Sequence, residues 1–196
     1  MACDPVIKAD YYDFCIQDDV WLVTKLIVAM QNISKYQGEG VPYVYCGRTS
    51  YVNEKLKKIE CSPLFAFRRS FRNALIQSIA GGNTMVFNQN AKNALEKVGI
   101  VQHPSHDWWL YQLVAGVGGI VFYDPTSQVL YRQHKNALVG GNNSFLARLE
   151  RISMMFKGEF GRWSDQNIAI LCAAKPWLTH GSKETLELFK KCVVLN

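Results

Sequence analysis

The sequence lacks the features that mark secreted, membrane-spanning or disulfide-stabilised proteins. Its six cysteines are scattered without a CxxC pair, and its N-terminal segment has no apolar core of a secretory signal. We therefore expect a reduced, cytoplasmic protein without a disulfide framework, with Cys15 and Cys172 buried as small apolar side chains. The longest uncharged run, 108–123, contains three glycines and is too short for a membrane span.

The composition is that of one globular domain. The 196 residues are 48% hydrophobic and 19% charged, which excludes a disordered chain, and no internal repeat or low-complexity segment is present. The net charge of +6 favours anionic partners such as nucleotide phosphates, lipid headgroups or nucleic acid, although it also suits solubility alone. Because no basic stripe is interleaved with aromatic residues, we expect no nucleic-acid partner.

Short apolar runs and helical periodicities alternate over the first two thirds of the chain. Strands are predicted at 10–16, 42–47, within 81–88 after a glycine turn, and at 119–124 and 128–134, the last two joined by a turn at 124–126. Helices are predicted at 21–33 (well buried), 68–78, 91–99 (closed by Gly99) and 106–115, and 48–64 is an irregular or hairpin segment. Helical patterns fill 144–196. This order predicts an α/β fold at 1–143 and a helical C-terminal extension at 144–196.

Two adjacent acids, Asp18 and Asp19, follow the first predicted strand. Ligands of open α/β sheets bind beyond the carboxyl ends of strands, and a free carboxylate there suits Mg²⁺ or Mn²⁺ with phosphate oxygens as co-ligands. Asp19 is expected to cap the following helix, which leaves Asp18 to face the crevice. The alternative is that both acids only end the strand and cap the helix.

Three later segments contain residue types suited to chemistry. Asp107 lies in the first turn of a helix capped by Ser105, where an ionised carboxylate is favoured and can take a proton from an alcohol. Trp108 and Trp109 offer flat faces to a sugar, or are core residues. His134 can ligate a metal and Arg132 a diphosphate, or both are ordinary surface residues. Gly82 permits a close approach of backbone to ligand, or simply a turn.

In this order the segments resemble the family 2 glycosyltransferases, in particular the rhamnosyltransferase-like members of bacterial polysaccharide synthesis. The matching segments are IQDDVW (16–21), GGNTMVFN (81–88), HDWW (106–109) and YRQHKNALVG (131–140), and the resemblance covers about 9–143. It implies a partial GT-A fold, the nucleotide-diphospho-sugar transferase fold, with a mixed sheet flanked by helices. It also implies a nucleotide-sugar donor and a saccharide or lipid-linked acceptor.

The resemblance assigns a role to each matching residue. Asp107 is expected to be the catalytic base of an inverting transfer, and Asp18 and His134 to hold Mg²⁺ or Mn²⁺. The other positions fall into two groups. Nucleotide contacts are expected from Gln17, Asp19 and Arg132, and sugar contacts from Gly82, Asn83, Thr84, His106, Trp108 and Trp109.

Two departures from the family pattern keep a second hypothesis open. Ile16 stands where the family usually has the first acid of its motif, and no segment before Asp10 matches the family's opening strands. The chain can therefore also be interpreted as a truncated, catalytically inactive binding or scaffolding domain. The basic and apolar residues of 144–157 form an amphipathic pattern that suits peripheral contact with the inner face of the cell membrane, or packing on protein.

Overall fold

The computed structural model describes residues 4, 6–36, 40–133 and 159–194. Its strands are β1 (Tyr11–Asp13), β2 (Val20–Trp21), β3 (Tyr43–Val52), β4 (Lys58–Cys61), β5 (Val86–Asn88) and β6 (Ile120–Arg132). Its helices are α1 (Lys25–Ser34), α2 (Phe71–Ile76), α3 (Gln89–Val98), α4 (His106–Gly116), α5 (Glu159–Ala173) and α6 (His180–Val194). Short 3₁₀ turns lie at Gly82–Thr84 and Lys175–Trp177. The α/β class and the C-terminal helices are confirmed.

The strands form one mixed sheet in the order β1-β5-β3-β6-β2, with β4 paired to the far half of β3. β3 and β6 run parallel along almost their whole length, and the other pairs are antiparallel. This mixed sheet flanked by helices is consistent with the expected partial nucleotide-diphospho-sugar transferase fold. The parallel pair at its centre aligns the ends of β3 and β6, so Val52 and Arg132 lie side by side at one rim.

The two faces of the sheet are covered unequally. The larger core joins sheet residues such as Val44 and Phe87 to Leu75 of α2, Leu95 of α3 and Leu110 of α4. Two C-terminal helices enter the same core through Leu171 and Leu186, which are both fully buried. The opposite face is covered by α1, where Ala29 and Ile33 pack on Tyr43, Tyr45 and Val86. The predicted boundary at 143 lies outside the described residues.

The two strands predicted around 124–126 are one strand, β6. Pairing with β3 continues on both sides of an irregularity, where β3 advances from Gly47 to Thr49 while β6 advances from Asp124 to Val129. The Asp-Pro-Thr segment is therefore absorbed as a bulge, since both flanking stretches follow one parallel partner. The hairpin alternative for 48–64 is confirmed by the antiparallel β3–β4 pair.

The prediction of a well-buried helix at 21–33 is wrong in start and in burial. Trp21 belongs to β2, which pairs with β6, and the helix begins at Lys25. Its buried residues are Lys25, Ala29 and Ile33. The apolar stripe is exposed instead, with Leu22, Val23, Leu26, Ile27 and Met30 all at least 37% accessible. The helical period was predicted correctly, but the sheet takes the face of Lys25, Ala29 and Ile33.

Two further expectations about the N-terminal region need correction. The first strand is three residues long, 11–13, where 10–16 was predicted, because the chain leaves the sheet at Phe14 and turns at 16–19. Cys15 lies in this loop and is exposed, and Cys172 is only partly buried. Among the described residues, no helix is long and apolar enough to cross a membrane.

Candidate active site

A buried turn at 81–84 is the centre of the candidate site. The Thr84 hydroxyl donates to the Gly81 carbonyl (2.8 Å) and accepts from the Gly47 amide (3.3 Å), which fixes the turn to β3. Gly82, Asn83 and Thr84 are all buried. The turn directs the Gly82 amide and the Asn83 side chain towards two acids from distant parts of the chain.

Asp107 is one of these acids. The Gly82 amide donates to its Oδ2 over 3.0 Å, and the Trp108 amide donates to Oδ1 over 2.6 Å. Ser105 occupies the N-cap position as predicted, but its hydroxyl donates to Asp107 Oδ1 and caps no helix amide. Both oxygens of this carboxylate are therefore held by protein donors, at a helix N-terminus that favours negative charge.

Asp19 is the other acid, and it is not a helix cap. The Asn83 side-chain amide donates to its Oδ2 over 2.6 Å, while α1 begins six residues further on, at Lys25, with Thr24 at the N-cap position. The capping prediction fails because 20–21 form β2. Burial raises the pKa of Asp19 above its usual range, the Asn83 hydrogen bond opposes the rise, and the charge of Asp18 adds to it.

Asp18 and Arg132 lie at the end of one strand pair. In the antiparallel β2–β6 ladder Val20 pairs with Leu130. Asp18 lies two residues before Val20, and Arg132 lies two residues after Leu130. Both residues therefore lie towards the same end of the β2–β6 ladder, the end at which Asp19 precedes β2. Gln17 and Asp18 are exposed in the preceding turn. His134 lies outside the described residues, so its predicted place beside Asp18 stays a prediction.

His106 lies against the same turn. A Cβ added to Gly82 would come within 2.3 Å of His106 Nε2, so the ring occupies the space that any other residue at 82 would need. The ring also meets Phe14 edge-on, with centroids 4.7 Å apart. Glycine at 82 therefore serves a close approach between a turn and a side chain.

The two tryptophans of this segment are core residues, the alternative left open by the sequence. Trp108 is 7% and Trp109 3% exposed, and the indole of Trp108 donates to the Ala74 carbonyl over 2.6 Å. Burial and this hydrogen bond to α2 fix the Trp108 indole in the core, and its predicted sugar contact stays a prediction. Trp109 reaches the edge of a cavity described below.

A buried lysine was missed by the sequence reading. Lys25 is 1% exposed, its Nζ lies 2.5 Å from Asp13 Oδ2, and it stands 3.4 Å above the Trp21 ring. It also interacts electrostatically with Asp19. A signal was available, since Lys25, Ala29 and Ile33 recur every four residues on one helical face.

The acids suit a divalent cation only with further ligands. Within the described ranges no group of three or more His, Cys, Asp or Glu side chains could hold a metal ion. The adjacent Asp18 and Asp19 nevertheless provide what Mg²⁺ takes from a protein, one or two carboxylates that it combines with phosphate oxygens.

Comparison with known proteins identifies one distant relative of known name. The chain is 26% identical over 151 residues to the dTDP-rhamnosyl transferase RfbG of Shigella flexneri. The chain is similar to a glycosyltransferase. The match covers 74% of the chain and 50% of the relative, so the chain spans about half of that protein's length. No family model matches the chain, and no solved structure matches it significantly.

Proposed function

We propose that the chain is a glycosyltransferase of the family 2 type, or the part of one that bears the acceptor side of the site. It moves a sugar from a nucleotide-sugar donor to a saccharide or lipid-linked acceptor in cell-surface polysaccharide synthesis. The observation that supports this most is the pair of hydrogen bonds from the 81–84 turn, one to Asp107 and one to Asp19. Similarity to a rhamnosyl transferase supports the same class.

Asp107 is the proposed catalytic base. An inverting transfer needs a carboxylate that takes the proton of the attacking acceptor hydroxyl. In the described structure the Ser105 hydroxyl donates to Asp107 Oδ1, the kind of contact an acceptor hydroxyl would make. Productive binding would therefore have the acceptor hydroxyl replace Ser105 at that oxygen, while the Gly82 amide keeps Oδ2 in place.

Asp18, with His134, is the proposed metal site, and Asp19, Gln17 and Arg132 are the proposed contacts to the nucleotide. When bound, Mg²⁺ or Mn²⁺ would offset the charge that develops on the departing nucleoside diphosphate. The chain's own contribution is to hold adjacent carboxylates at the sheet rim through the Asn83–Asp19 hydrogen bond. The register of β2 and β6 supports the placing of Arg132 on the same side.

The test is release of nucleoside diphosphate from a panel of sugar nucleotides, beginning with dTDP-rhamnose, with Mg²⁺, Mn²⁺ or EDTA. Activity is expected only with metal, and Asp107→Asn should lower it about a hundredfold or more, as for loss of a positioned base. Asp165→Asn, at an exposed position on α5, is the matched control. Release that survives Asp107→Asn, or that proceeds equally in EDTA, would contradict the assignment.

A second function, a binding or scaffolding domain without catalysis, is favoured by Ile16. This isoleucine is 39% exposed in the turn that leads to Asp18, where the family pattern has an acid. An apolar side chain there cannot bind a metal or a ribose hydroxyl. Calorimetry with sugar nucleotides and Mg²⁺ separates the two functions. A binding domain without catalysis should bind no sugar nucleotide, whereas an enzyme should bind it. If the chain is an enzyme, Ile16→Asp should increase its affinity for the sugar nucleotide.

A further inference from the structure

A cavity of about 330 Å³ lies between the loop after β1 and the segment that joins α3 to α4. Its walls are mainly apolar and come from Phe14, Leu95, Val101, Trp109 and Leu110. Pockets for small molecules begin near 300 Å³. This cavity therefore has room for about one ring with its substituents, and too little for a whole sugar nucleotide.

The polar groups of the lining favour an uncharged occupant over an anion. Among the described residues that line the cavity there is no lysine or arginine, and the polar members are Asp4, His103 and His106. Burial lowers the pKa of His103, and His106 lowers it further, which favours the neutral imidazole. A phosphate would meet the Asp4 carboxylate without a fixed cation to balance it, whereas an uncharged ligand meets no such cost.

His106 separates the cavity from the proposed base by the thickness of one side chain. One part of its ring lines the cavity, and Nε2 lies against Gly82, whose amide donates to Asp107. A ligand in the cavity is therefore beside the reacting position and not in it. A neighbouring ring of the same oligosaccharide would lie beside the reacting ring in this way.

We propose that this cavity binds an uncharged, methyl-bearing pyranose ring, the unit of the acceptor next to the one that reacts. The apolar walls would take the ring's methyl group and its apolar face, and the imidazoles its hydroxyls. The methyl group could belong to a 6-deoxyhexose or to an N-acetylhexosamine. The binding site is inferred from the cavity alone, whereas its role in acceptor binding rests on the proposed function.

The test is a titration of the full chain, observed through the His103 ring signals by NMR. The probes are methyl rhamnoside, methyl N-acetylglucosaminide, methyl glucoside and glucose 6-phosphate. One or both methyl-bearing glycosides should give saturable shifts, with a dissociation constant at least about threefold lower than that of methyl glucoside. This difference corresponds to the burial of one methyl group. Their relative affinities identify the source of the methyl group. Absence of any saturable shift, or tightest binding of glucose 6-phosphate, would overturn the proposal.

Variants that fill the cavity provide the second arm. Val101→Phe should weaken binding of the preferred glycoside about tenfold or more by occupying the apolar wall. Val23→Phe, the same change at a fully exposed position on the α1 side, should bind as the wild type does. Ile100→Trp blocks the mouth from a 94% exposed position and serves if Val101→Phe does not fold. Full affinity in a folded cavity variant would sink the proposal.

The outcomes also separate this proposal from the proposed function. Glycoside binding without nucleotide release from any donor keeps the site and removes its acceptor role. Nucleotide release without saturable glycoside binding removes the cavity proposal and keeps the enzyme.

Discussion

Lys25 Nζ lies 2.5 Å from Asp13 Oδ2 and packs on the face of the Trp21 ring. The lysine side chain is 1% exposed. Burial raises the pKa of Asp13 to about 6, which outweighs the attraction of Lys25. Burial likewise lowers the pKa of Lys25. This buried pair joins β1 to the start of α1, and it adjoins Asp19.

The first prediction concerns the pH dependence of stability. Asp13 is protonated in the folded state up to about pH 6 but ionised in the unfolded state above about pH 4. Its contribution therefore favours folding at low pH and is lost as the pH rises through about 6. Urea unfolding from pH 4.5 to 7.5 should show wild type losing stability relative to Asp13→Asn up to about pH 6, then running parallel. A carboxyl NMR titration midpoint near 4 for Asp13 would contradict this.

Replacement of Lys25 should be costly. Lys25→Met leaves the Asp13 carboxylate buried without its counter-ion, and we expect a loss of about 3–5 kcal/mol in unfolding free energy at pH 7. Asp13→Asn combined with Lys25→Met should recover a large part of this. Lys55→Met, at an exposed position, should stay within about 0.5 kcal/mol of wild type. A double variant no more stable than Lys25→Met would show that the charge pairing is not responsible.

Asn83 is predicted to control the charge state of Asp19. Asn83→Asp replaces the 2.6 Å donor with a second carboxylate, so we expect a loss of about 1–3 kcal/mol at pH 7. The loss should shrink towards pH 5, because protonation of one acid restores a hydrogen bond. Asn83→Ala removes the donor without adding charge and should lose less at pH 7. Equal losses for Asn83→Asp at both pH values would argue against this coupling.

Gly82→Ala tests the contact between the turn and His106. The added Cβ would lie 2.3 Å from His106 Nε2, so the exposed ring must move, at a cost of about 1 kcal/mol. In a His106→Ala background the same change should cost little, which a double-mutant cycle by urea unfolding measures. Additive losses would mean that His106 does not fill the space beside residue 82.

The exposed stripe of α1 should tolerate charge. Val23→Lys and Ile27→Lys should change the unfolding free energy by less than about 0.5 kcal/mol, since both side chains are more than half exposed. Ala29→Leu, on the fully buried face, should cost about 1–3 kcal/mol by overpacking. Similar losses of stability at both faces would mean that another molecule covers the stripe in solution. Sedimentation would then measure the mass of the complex.

The sequence predicted elements well where the local signal and tertiary pairing agree. Gly99 ends α3 with φ of +82°, and the turn at 81–84 leads into β5 as expected. The segment around Val20 shows the opposite, because helical periodicity continues through residues that pair with β6. No local pattern reveals that a two-residue strand displaces the start of a helix.

The sequence named four residues that the structure joins by hydrogen bonds, but it did not predict the bonds, and the roles of these residues stay predictions. Asp19, Asn83, Gly82 and Asp107 meet as the shared motifs implied. Asp19 accepts a hydrogen bond from the Asn83 side chain and not from a helix amide. This bond depends on the packing of a turn 64 residues away in the sequence. The Lys25–Asp13 pair lay outside every motif, and its sequence signal was the four-residue spacing of Lys25, Ala29 and Ile33.

The arrangement of strand lengths has a consequence for solubility. In the described part of the chain the two long strands, β3 and β6, are internal, whereas the border strands β1, β2 and β4 have three, two and four residues. Strands this short offer another chain too few free backbone groups for stable intermolecular pairing. The sheet is thereby protected from fibril-like association at its borders, and precipitation of this protein should begin at helix surfaces instead.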